Sequence, residues 1–103
     1  PSIRQRTQDL VARRLQRMGV GDGRDPPTLL VHGIDDTQVL PSQSRRFAEA
    51  LLAADVDTQL VMVPGVGHGL IGKDAATTSR ALRQALAQTI GFLDQRLQTA
   101  PGP

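Results

Sequence analysis

Two short segments of this chain carry the residue types that acid–base chemistry needs. The first, His32-Gly33-Ile34-Asp35-Asp36, places two carboxylates just after an apolar run. The second, Pro64-Gly65-Val66-Gly67-His68-Gly69, sets one imidazole among three glycines. A carboxylate that accepts from one imidazole nitrogen fixes the ring's tautomer and stabilises the imidazolium, leaving the other nitrogen free to act as a general base. Asp36 and His68 are the candidate pair, with Asp35 as the second choice for the acid. Taken singly, an Asp after a strand is usually a turn former and a His in a glycine loop a surface residue. Order and context together favour the paired reading. His32, at the end of the apolar run, is read as structural, hydrogen-bonding around the turn.

Other chemistries have less to work with. The chain has no cysteine, which removes thiol nucleophiles, zinc–thiolate sites and disulfides. Asp35, Asp36 and His68 have no recognised metal-ligand spacing, so no metal is expected. No cofactor is expected either: the Gly19-x-Gly21 spacing follows a helix and no third glycine opens another, unlike a dinucleotide fingerprint. The serines are Ser2, Ser42, Ser44 and Ser79, and none stands between glycines at a strand-to-helix turn.

The elements that must position the pair are legible from periodicity. Thr28 to Val31 is a continuous apolar run between Pro26-Pro27 and Gly33, the pattern of a strand covered on both faces. Pro41 or Ser42 opens a helix to about Ala54, with Phe47, Ala48, Leu51 and Leu52 as its buried stripe. Asp55 to Asp57 is an exit loop, and Thr58 to Val63 a second strand. Strand, helix, strand is a βαβ unit, so the strands are parallel and the crossover right-handed. Strand C-terminal ends are where open α/β sheets place their chemistry, and both candidate residues follow such ends. A helix over about Ile3–Met18 precedes the unit, with Ile3, Leu10, Val11, Leu15 and Met18 at helical spacing. A last helix over about Thr77–Gln98 sets Leu82, Leu86, Ile90, Leu93 and Leu97 on one face. The expected fold is α/β: a parallel two-strand βαβ unit flanked by three helices. Residues 1–25 form a basic amphipathic helix and loop, 26–98 the α/β portion, and 99–103 a frayed tail.

Composition limits the partners. The chain has 103 residues, a formal net charge of +2 and only two aromatic residues, Phe47 and Phe92, so it offers few platforms for stacking bases. Arg4, Arg6, Arg13, Arg14 and Arg17 cluster near the start, and the reading preferred here is a solvated helix face rather than a nucleic-acid or membrane surface. No apolar run is long enough to span a membrane and no signal-peptide pattern is visible, so a cytoplasmic location is favoured.

The segment PTLLVHGIDDTQVLPSQSRRFAEALLAADVDTQLVMVPGVGHGL resembles the C-terminal part of an α/β-hydrolase. It is most similar to esterases and prolyl-oligopeptidase-like serine peptidases, which carry HG-x-x-D-x-x-V-P, a glutamine–serine helix start, a strand and P-G-x-x-H-G in this order. The resemblance covers about Pro26 to Leu70, with the last helix in its expected place and the first helix outside it. Leu40 stands inserted before Pro41. The resemblance implies that Asp36 is the triad acid and His68 the triad base. No G-x-S-x-G occurs in the chain, and the oxyanion-hole segment is absent. The expected function is therefore the C-terminal portion of a serine hydrolase of ester or peptide bonds, inactive alone. Its substrate would be a small ester or peptide once a nucleophile-bearing segment completes it. The alternative is a truncated hydrolase module serving as an interaction or structural domain. With only two strands, the open sheet edge is expected to pair with a second copy or another polypeptide.

Overall fold

The computed structural model describes residues 2–19 and 25–99. Sequence readings on the loop through Gly21 and Gly23, and on the tail past Thr99, lie outside the described residues. The chain runs α1 (Ile3–Arg17), β1 (Thr28–Gly33), α2 (Pro41–Ala53), β2 (Thr58–Val63), a 3-10 turn (His68–Leu70) and α3 (Ala75–Thr99). Among the described residues β1 and β2 form one two-stranded sheet. The amide of Thr28 donates to the Asp57 carbonyl at 2.8 Å and that of Ile34 to Val63 at 2.9 Å, so the partner advances in step with the strand and the pair is parallel.

The chain divides into two compact units. One takes the chain up to Leu30 together with Ser42–Leu60. Its core gathers around the end of α2, where Leu51, Ala54 and Val56 are buried and Leu15 and Leu30 pack against them. Burying a Leu or Val side chain contributes about 1.5–3 kcal/mol. The exit from α2 is a Schellman cap. The Val56 amide donates to Leu51 O, the Asp55 amide to Leu52 O, and Asp55 takes the left-handed conformation at φ 61°. Leu51 and Val56 thus meet through the cap itself.

The α2 stripe differs from the one read from the sequence. Ala48, Ala50 and Leu51 are buried, while Phe47 and Leu52 are exposed. The cluster sits at the last turn, so Phe47 lies one turn too early to join it, and Leu52 falls at the edge of the buried arc.

The second unit takes Val31–Pro41 and the chain from Val61 onward. Val61, Val63, Val66, Ala81 and Phe92 are buried in it. Asp74 caps α3, its Oδ1 accepting from the Thr77 amide at 2.7 Å. The Arg96 guanidinium lies 3.9 Å from the centre of the Phe92 ring. The regular face of α3 is open to solvent: Leu82, Leu86, Ile90, Leu93 and Leu97 are 52 to 73% exposed. Periodicity identifies an apolar face, but not the element that covers it. No described helix is long and apolar enough to cross a membrane.

Candidate active site

The turn after β1 is fixed by backbone hydrogen bonds before any side chain acts. Three successive amides are satisfied in order: Ile34 donates to Val63 O, Asp35 to Val66 O, and Asp36 to Gly33 O. Gly33 is required there by close approach. A Cβ on it would stand 2.5 Å from both the Val66 and the Gly67 carbonyl oxygens. The sequence therefore lets two chain reversals lie directly against each other.

The second reversal carries His68. The Gly67 amide donates to Ile71 O, that of Leu70 to Gly67 O, and Val66 bridges Gly72 antiparallel. Gly69 and Leu70 both have left-handed backbones, at φ 72° and 62°. Leucine is held there against its own preference, at a cost of about 1–2 kcal/mol. The Gly72 amide donates to Thr78 Oγ1 at 2.9 Å, tying the loop's end to the first turns of α3.

Asp36 and His68 meet. His68 Nδ1 lies 3.1 Å from Asp36 Oδ2. The other carboxylate oxygen, Oδ1, accepts from the backbone amides of Gln38 at 2.9 Å and Val39 at 2.8 Å. Asp36 is only 7% exposed, whereas His68 is 52% exposed. The Val39 amide contributes most to holding the Asp36 carboxyl below the usual carboxylate range, with the His68 hydrogen bond and the Gln38 amide adding to it and burial opposing. Asp36 is thus a carboxylate at neutral pH. Because a carboxylate only accepts, His68 Nδ1 carries a proton, and in the neutral ring Nε2 then holds the lone pair. That arrangement makes His68 chemically competent as a base at Nε2.

Asp35 does not reach the imidazole. It is exposed and lines an open cavity of about 580 Å³ together with Gly65, Gly67, Lys73, Thr77 and Arg80. His32, also 7% exposed, puts Nε2 2.7 Å from Val39 O and 3.4 Å from Asp36 Oδ2. The sequence reading gave it a hydrogen bond around the turn and missed its proximity to Asp36. An i,i+4 spacing across a tight turn was the available signal. Leu40 is exposed beyond this network. Among the described residues no group of three or more His, Cys, Asp or Glu side chains is arranged to hold a metal ion.

The profile of the prolyl oligopeptidase family matches residues 8–100. The chain belongs to the prolyl oligopeptidase family. No curated protein and no solved structure matches it. Membership places the chain among serine-peptidase-type hydrolases of α/β-hydrolase fold, and the parallel β1–β2 pair with three helices is a partial unit of that fold. The family match begins within α1, so it extends past the Pro26–Leu70 stretch over which the sequence resemblance was drawn. An amphipathic helix has no spaced signature comparable to HG-x-x-D or P-G-x-x-H-G, which is why α1 went unassigned.

Proposed function

We propose that Asp36 and His68 are the acid and base of a Ser-His-Asp triad in a hydrolase of ester or peptide bonds, with the serine supplied from outside these 103 residues. The single observation that carries this reading is the 3.1 Å contact between Asp36 Oδ2 and His68 Nδ1, with the imidazole half open to solvent. The serine hydroxyl would donate to His68 Nε2. On attack at the substrate carbonyl carbon its proton passes to Nε2, and Asp36 stabilises the imidazolium. The proton then goes to the leaving group as the tetrahedral species collapses to an acyl-enzyme. Water, deprotonated by the same nitrogen, releases the acid.

In this reading the chain is inactive alone, since none of its four serines lies in a G-x-S-x-G turn. The two-stranded sheet and the open face of α3 fit a fragment whose covering elements arrive with the serine-bearing segment of the same hydrolase. A fluorophosphonate probe tests it. Labelling of the chain reconstituted with a serine-bearing family segment, abolished by His68→Ala, supports the triad. A stable complex that never labels supports the second reading, a non-catalytic interaction module.

A further inference from the structure

Asp36 has two oxygens, and only one of them meets the imidazole. Something must hold the carboxylate so that Oδ2 faces His68 while Oδ1 stays under the amides of Gln38 and Val39. Those amides belong to the turn itself, and a turn of Asp36, Thr37, Gln38 and Val39 has no regular secondary structure to stiffen it. The strand that leads into it is β1, and β1 presents His32.

His32 Nε2 lies 2.7 Å from Val39 O and 3.4 Å from Asp36 Oδ2. Both neighbours are acceptors. A lone pair on Nε2 would face two oxygens, so Nε2 carries a proton and shares it in a three-centre arrangement, mainly with Val39 O. A closed circuit results. His32 Nε2–H binds the Val39 carbonyl, the Val39 amide binds Asp36 Oδ1, and Asp36 Oδ2 binds His68 Nδ1. One residue, Val39, is gripped at its carbonyl by the strand and grips the carboxylate with its amide.

We propose that His32 is a positioning residue: through Nε2–H it fixes Val39, and through Val39 it holds the Asp36 carboxylate in the orientation that serves His68. The proposal rests on the Asp36–His68 reading above. His32 exchanges no proton with substrate. It acts on the orientation of the pair and therefore on the tautomer of His68, which a merely space-filling histidine would not affect.

Imidazole ¹⁵N NMR on the 103-residue chain, above the pH at which both rings are neutral, tests it. In the unaltered protein His32 should be protonated at Nε2, with a through-bond coupling to the Val39 carbonyl, and His68 at Nδ1. His32→Leu should lower the ratio of Nδ1–H to Nε2–H tautomers of His68 about twofold, the low end of coupling within a shared hydrogen-bond network. His32→Gln, whose amide nitrogen reaches a similar position, should restore it. Retained circular dichroism shows that each variant folds. A His32 ring unprotonated at Nε2 overturns the proposal without any variant, so the result stands even if His32→Leu does not fold. Asp36→Asn separates the two claims. If it leaves the His68 tautomer unchanged, the pair itself fails and this inference with it. If it shifts the tautomer and His32→Leu does not, only the role of His32 is overturned.

Discussion

Within the second unit, the two reversals around Asp36 and His68 and the long face of α3 solve opposite problems. In the reversals the groups that fix the turns are hydrogen-bonded to one another. Amides 34, 35 and 36 each have a different carbonyl, both oxygens of Asp36 are engaged, and Gly33 leaves no room for a methyl group. On α3 five large apolar side chains stand in water with spacing as regular as any in the chain. Backbone hydrogen bonds therefore set the two turns, and side-chain bonds from His32 and Asp36 orient the pair on them. The ridge of α3 follows a helical pattern whose counterpart is not in the described structure. The Asp36–His68 pair is specified from within, and the helix face awaits contacts from outside.

The sharpest way to break this contrast is at the chemistry. In the chain completed by a serine-bearing segment, Asp36→Asn should lower kcat by about four orders of magnitude, as amide replacement of a triad acid does elsewhere. A loss of tenfold or less in steady-state kinetics would remove Asp36 from that role. Next comes Gly33→Ala. Its methyl group must displace two backbone carbonyls, so urea titration should show a loss of about 3 kcal/mol. In ¹⁵N spectra the Asp36–His68 bond should weaken too.

Acid should act on the same cluster. The carboxyl of Asp36 sits below its ordinary value in the folded state, and so does that of Asp74, held chiefly by the Thr77 hydrogen bonds. The unfolded chain therefore binds these protons more tightly. The stability they lend is complete above the unfolded carboxylate value of about 3.9 and is lost as pH falls through the lower folded values. Denaturant midpoints should fall as pH is lowered through that window, and Asp36→Asn should flatten the fall. A slope that Asp36→Asn and Asp74→Asn together leave unchanged would assign it to other groups.

On the α3 ridge the expected effects are small. Leu86→Gln should change stability by about 0.5 kcal/mol or less, because the side chain is already exposed. If it cost as much as Gly33→Ala, the ridge would be core and the contrast would fail. A change of similar size, here a gain, is expected in the first unit. Asp55→Gly removes the left-handed strain at the α2 cap but loosens the unfolded chain, for a net gain of about 0.5 kcal/mol by thermal melt.

The sequence made the strands, the parallel crossover and the two chemistry-bearing turns legible, because each was marked by an apolar run ending in glycine or proline. Asp36, with Asp35 second, came from the HG-x-x-D spacing of the resemblance; composition and periodicity alone left the two carboxylates open. Asp35 and Asp36 are adjacent, and the choice is made by the Gly33–Asp36 turn, which directs one inward and the other to the cavity. The start of α3 does have a readable signal, since Asp74, three residues before Thr77, has the spacing of an N-cap. Asp55 occupies a place where glycine is the usual signal. The reach of the α2 stripe depended on where its cluster formed, a tertiary fact that helical spacing leaves open.

Leu70 adds a last point. Loop tips are ordinarily where a chain accepts extra residues. The one bearing His68 has no such latitude, because a leucine is forced into a glycine-like backbone and the segment is closed on itself by the Val66–Gly72 bridge. Lengthening it by even one residue would swing the ring away from its carboxylate, so this turn should tolerate substitution far better than insertion.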